Sequence, residues 1–308
     1  MLSPLLLSLA LVSQPMQEAR PQEAEPVTRL EDVVVDARAL ETMARDFIDD
    51  VAAPTRRRGL ARWNRPLCVG VANLHRDVAQ AVVDRISDVA DALGVQTEAP
   101  GCEANVLIIA ADDGAALARL MVERSPRRFD VGSLQMTQGD QALEEFQAAE
   151  RPVRWWQISM PVNELGERAI RLAGDTNPRG GGPTAPKFHV SFASRIRSDI
   201  RDDLFRTIII ADIDDISGLS VQQVADYLAM VTLAQIDNDA DSAGYDTVMN
   251  LFEAPDAVSG LTEWDMAYLR GLYTAEQNRL NPDSQAGVIA RLLARDRRAA
   301  QTAETAAD

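Results

Sequence analysis

The stretch TIIIADIDDISGLSVQQVADYLAMVTLAQI, residues 207–236, decides how this chain is read. Thr207 to Ala211 is a short apolar run of strand length, Asp212 to Gly218 is a polar connection, and Leu219 to Ile236 is almost wholly apolar at helix length. Val221, Val224, Ala225, Leu228, Ala229, Val231, Leu233, Ala234 and Ile236 leave that helix little polar surface, so it is predicted to be central and enclosed on most sides.

Outward from this segment the chain alternates strands and helices. Upstream, Leu67 to Val71 reads as a strand and Arg76 to Leu93 as a helix with Val78, Val82, Ile86 and Val89 on one face, closed by Gly94. Val106 to Ala110 is a second strand, so one crossover packed on a sheet is expected. Ala115 to Glu123 and Gln141 to Glu150 have helical character. Trp155 to Pro161 and Arg168 to Leu172 alternate like a hairpin turning at Asn163 to Gly166. An earlier helix is predicted between Val33 and Ile48. The fold class is α+β: an α/β-like N-terminal part with a mixed sheet and a crossover helix, then a helical C-terminal part.

The expected organisation is a signal peptide over residues 1–19, a flexible lead-in over 20–28, one domain over 29–285 with a mobile loop at 174–186, and a charged, helical or disordered tail over 286–308. Leu5 to Val12 has the length of a signal-peptide apolar core and is too short to span a bilayer, which points to a periplasmic or secreted protein with no transmembrane segment in the mature chain. Cys68 and Cys102 stand at the starts of two strands, and a disulfide between them fits an oxidising compartment.

Composition excludes several functions. The 308 residues carry a net charge of −16, which repels nucleic acid unless a local basic patch intervenes. Arg56-Arg57-Arg58 and Arg127-Arg128 are the short basic runs, both read as solvated turns. Lys187 is the only lysine, so a phosphate-binding P-loop is absent and a Schiff-base site would have to use Lys187 itself.

Candidate chemistry is sparse. Asp212, Asp214 and Asp215 form a strand-end cluster without the downstream lysine that a phosphate-transferring Asp-x-Asp loop needs. Asp237, Asp239 and Asp241 open a calcium-like loop, but Ser242 and Val248 occupy the positions where a glycine and a bidentate glutamate belong. They form a candidate cation loop, and calcium is the one cofactor considered; none is otherwise expected. His75 reads as a helix-entry residue, and His189 lies in a strand-like run without a nucleophile elbow to serve.

The order strand, long apolar helix, short helix at Thr247 to Phe252 and final helix at Leu261 to Tyr273 resembles metzincin-like zincins, and within that group a family of bacterial secreted proteins of unknown function. Leu261, Thr262, Asp265, Leu269, Leu272 and Tyr273 match the final-helix run of matrixin-type members. The resemblance covers about 70 residues and implies a zincin-like scaffold. It also implies that the positions of the metzincin motif fall on Asp226, Tyr227, Met230, Leu233 and Ile236. These residues offer one oxygen donor and no imidazole, whereas catalytic zinc needs three protein ligands and an open water position. The expectation is therefore an exported, non-catalytic protein on a degenerate zincin scaffold that binds an envelope or extracellular protein or peptide, with the Trp155-Trp156 strand and the 174–186 loop as candidate surfaces. The alternative is a hydrolase with an unrecognised site built from the Asp cluster and His189, with or without a divalent metal.

Overall fold

A computed structural model describes residues 37–55, 58–129, 136–169, 198–278 and 281–307. In chain order these form α1 (Ala37–Val51), β1 (Val69–Ala72), α2 (Arg76–Ala92), β2 (Val106–Ala111), α3 (Gly114–Arg124), α4 (Pro126–Phe129) and α5 (Asp140–Ala148). There follow β3 (Val153–Asn163), β4 (Ile200–Asp212), α6 (Ile213–Ile216), α7 (Val221–Leu233), a 3-10 turn at Val248–Asn250, α8 (Glu263–Thr274) and α9 (Pro282–Ala307).

The four strands make one mixed sheet in the order β1-β2-β4-β3. β1, β2 and β4 run parallel, and β3 closes one edge antiparallel to β4. The β1-α2-β2 crossover is the expected one. Alternation along the strands sorts the side chains into two cores, because successive residues face opposite sides of a sheet. Ile208 and Ile210 join Trp156, Ile158, Phe129 and Phe146 under α3, α4 and α5. Ile209 and Ala211 face the larger core with Trp155, Ile108, Phe47, Ile86 and the buried side of α7. The result is the α+β arrangement anticipated from the sequence, with helices on both faces of the sheet.

The disulfide between Cys68 and Cys102 is present, with the two Cα atoms 6.0 Å apart. It pins the start of β1 to the segment before β2, where Asn105 adds a hydrogen bond from Cys68 N (2.9 Å) and donates to the Pro66 carbonyl (2.9 Å). Closing a 34-residue separation removes unfolded-state entropy worth about 3 to 4 kcal/mol in the chain-entropy model.

Several expectations need correction. The boundary placed at residue 285 falls inside α9, and Ile289, Ala290, Leu293 and Ala294 are fully buried there, so the start of the supposed tail is core. The charged residues of α9 lie on its outer side and masked this apolar stripe in the sequence. β4 begins at Ile200, seven residues before the apolar run that announced it, because its first half, Ile200 to Arg206, is mostly polar and still pairs with β3. The expected turn at Asn163 to Gly166 exists, held by Asn163 Oδ1 accepting from Leu165 N and Glu167 N, and β3 pairs along its length with β4; residues 170–172 of the expected hairpin partner lie outside the described residues. Among the described residues of that segment, Arg168 bridges back to Val162. The signal peptide, the lead-in, the 174–186 loop, Lys187 and His189 lie outside the described residues.

Candidate functional site

α7 carries the positions that the zincin resemblance singles out. Ser220 and Gln223 form a capping box at its start, and the Gln223 side chain also donates to the carbonyls of Pro255 (2.9 Å) and Val258 (2.7 Å). Ten of its thirteen residues are buried, so the enclosure read from its composition holds from Val224 onward; the first turn, Val221 to Gln223, is not buried, and Val221 is exposed. Its C-terminal end is enclosed too. Trp63 Nε1 donates to the Thr232 carbonyl (2.7 Å), Tyr273 OH to that of Leu233 (2.9 Å), and Gln157 Nε2 to those of Val231 (2.8 Å) and Ala234 (2.7 Å). The carbonyls that a helix leaves without partners are thus satisfied by side chains from three other segments.

Asp226, the one oxygen donor on this helix at a motif position, is 3% exposed and already engaged on both oxygens. Oδ1 is ion-paired with Arg85 Nε of α2; Oδ2 accepts from Gln222 Nε2 (3.0 Å) and from Leu261 N (3.1 Å). These bonds offset the cost of burying its charge and join α2, α7 and the approach to α8. Tyr227 packs between Phe252 and Trp155, with ring centroids 4.9 and 6.2 Å away. Burial, reinforced by Glu253, drives its phenol further above the ordinary tyrosine range, which removes it as a base near neutral pH. Met230 and Leu233 are wholly buried, and Ile236 lends its carbonyl to Trp155 Nε1 (3.0 Å). The residues at these positions do not fit a zinc ion.

The other predicted residues have structural employment. Asp237 Oδ1 accepts from Asp239 N (3.0 Å), and Asp239 pairs with Arg151 at 2.9 Å, so a guanidinium already sits where the candidate cation loop offered charge. Asp241 is exposed, and among the described residues no group of three His, Cys, Asp or Glu side chains is placed to hold a metal. Asp212 caps α6 by accepting from Asp214 N (3.3 Å) and also receives Gly114 N (3.3 Å). His75 is the exposed residue preceding α2, as expected of a helix-entry position. Trp155 and Trp156 are each 3% exposed on opposite faces of the sheet, which corrects the idea that they form a binding surface.

A basic groove lies across the start of β2 and the middle of β4, and no local motif announces it. One chamber, of about 530 Å³, has Leu107, Leu120, Met121, Phe129 and Ile208 among its lining and carries Arg124, Arg128 and Arg206. A second, of about 380 Å³, shares Glu103, Ala104, Asn105 and Arg206 with it and adds Arg65, Pro66, Glu98, Arg168 and Phe205. The guanidinium carbons of Arg168, Arg65 and Arg206 lie 4.2, 4.4 and 5.8 Å from the centroid of the Phe205 ring. The Arg127-Arg128 run, read as a solvated turn, marks one part of this groove; its other arginines come from positions between 65 and 206 that no local motif connects.

Searches of family models, characterised proteins and solved structures return no match to this chain. The chemistry of both regions therefore follows from their own residues.

Proposed function

We propose that the chain is an exported, non-catalytic binding protein on a zincin-like scaffold, in which the helix that would carry a metal site serves as a core element, and that it engages an envelope or extracellular partner. The observation that carries this reading is Asp226. Its carboxylate is spent on Arg85, Gln222 and the Leu261 amide instead of facing a cleft. The element order β4, α7, 3-10 turn, α8 supports the scaffold part of the reading, as does Tyr273, which matches the family's final-helix run and bonds α8 to the end of α7. The disulfide supports export, and no helix among the described residues is long and apolar enough to cross a membrane.

The test is cleavage of a peptide and ester library by the purified, disulfide-intact protein with added zinc. No turnover sensitive to a chelator is expected. Chelator-sensitive turnover that disappears in Asp226→Asn would overturn the proposal and favour the hydrolase alternative.

A further inference from the structure

The basic groove is unusual for a chain of net charge −16. Among the described residues, Arg65, Arg124, Arg128, Arg168 and Arg206 form no ion pair, although other arginines of the chain, such as Arg58, Arg85, Arg151 and Arg201, are matched with carboxylates. Arg206 is the most informative of the five. It is half-buried in β4, and no hydrogen bond ties its guanidinium to another described residue. Burial, followed by the charge of Arg128, lowers its pKa, and Glu103 at the shared rim offsets this in part. Burial and then the charges of Arg168 and Arg206 do the same to Arg65. Like charges held together at a partly dry site raise the free energy of the empty groove, and an anion would relieve it.

The second half of the observation is apolar. Leu120 is 47% exposed at the mouth of the larger chamber, and Met121, Phe129 and Ile208 line the same chamber. Its volume lies within the range of small-molecule sites, which combine an apolar lining with a few polar groups that fix orientation. Nothing in α7 requires this groove, and it lies on the face of the sheet covered by α3 and α4, opposite α7.

We propose that this groove binds an amphiphilic anion, with an apolar body seated against Leu120, Met121 and Phe129 and a carboxylate or phosphate head held by Arg124, Arg128 and Arg206. Guanidinium groups suit such heads because their forked donors can meet two oxygens at once. The Phe205 cage extends the positive rim towards Arg65 and Arg168. This site deepens the binding reading above by naming the chemistry of what is bound, but it does not depend on the fate of the zincin helix.

Isothermal titration of the intact, disulfide-bonded chain with decyl phosphate and decanoate below their micelle concentrations tests it. Decanol, inorganic phosphate and decyltrimethylammonium serve as probes of the separate halves and the opposite charge. Both alkyl anions are expected to bind at least tenfold more tightly than any of the three controls. The double variant Arg124→Gln/Arg128→Gln and the single variant Leu120→Asp alter exposed side chains and are expected to keep the wild-type melting temperature while weakening both anions at least tenfold. Arg76→Gln, at an exposed position on α2, is expected to bind as wild type. Absence of binding by the alkyl anions at millimolar concentration, equal binding of decanol, or equal binding by the two groove variants would overturn the proposal. Co-sedimentation with phosphatidylglycerol vesicles, lost in the same variants, would assign the head group to a lipid surface. Binding of the monomers without co-sedimentation would assign it to a free amphiphile. Chelator-sensitive turnover would sink the non-catalytic reading while leaving these binding results unchanged, so the two failures are distinguishable.

Discussion

Asp265 is a carboxylate with no exposed surface and four hydrogen bonds: Thr247 Oγ1 donates at 2.5 Å, Val248 N at 2.8 Å, and the amide and hydroxyl of Thr262 at 3.0 Å each. Burial outweighs these donors and pushes its pKa up to about 6. An unfolded aspartate titrates near 4. The folded state therefore binds this proton more tightly than the unfolded state, and the stability it contributes is complete below about pH 4 and lost as the pH rises through about 6. Urea midpoints of wild type and Asp265→Asn measured from pH 4 to 7 should diverge, with wild type losing about 1 to 3 kcal/mol relative to the variant across that window. A constant difference between the two proteins would contradict this. The capping role of Thr262 and Asp265 was legible from their spacing before an apolar run, and the structure has that capping box. The partnership of Asp265 with Thr247 and Val248 was not, because an Asp in the first turn of a helix carries no mark of a bond 17 or 18 residues away. Asp226 shows the same limit: its departure from a histidine was plain, but Arg85 is 141 residues distant.

At the scale of elements, α7 is held by its entry as much as by its apolar surface. Gly260 sits at φ +154, and a Cβ there would overlap Oδ2 of Asp226. Gly260→Ala thus strains the backbone and displaces the carboxylate that receives the Leu261 amide. A loss of roughly 2 to 4 kcal/mol is expected from calorimetric melting; a loss under about 0.5 kcal/mol would show that the approach to α8 yields without cost. The existence of the central helix was readable from nine apolar positions, since a helix with so little polar surface has to be enclosed. The strand pairing was less readable. β3 and β4 are joined through a segment whose pattern favours a local hairpin, and the choice of β4 as the long partner is made by two-sided packing of the sheet. The basic groove was the least legible, because its arginines come from separate segments and meet only once the sheet has formed.

For the molecule as a whole, α9 closes the larger core. Gly271 of α8 lets the two helices approach closely, since a Cβ there would lie 3.2 Å from the Ile289 carbonyl. Ending the chain after Asn281 removes Ile289 and Leu293 from that core and is expected to abolish cooperative unfolding. Ending it after Arg298 removes only the end of the helix, where none of the described side chains is buried, and is expected to shift stability by less than about 0.5 kcal/mol. Similar denaturation curves for the two truncations would refute the assignment of α9 to the core. The charged residues of this helix were visible in the sequence, and they obscured the buried stripe that decides its role.

α7 packs as a core element, and on the proposed reading Asp226 is held by Arg85, Gln222 and the Leu261 amide in place of a metal. Equilibrium urea unfolding of the metal-stripped protein, titrated with zinc and then with a chelator, tests this most directly, because an ion that binds only the folded state must raise the unfolding midpoint. The midpoint is expected to stay the same with zinc, with chelator and in Asp226→Asn, apart from that variant's own constant loss of stability. A rise with zinc that a chelator reverses and Asp226→Asn abolishes would contradict it.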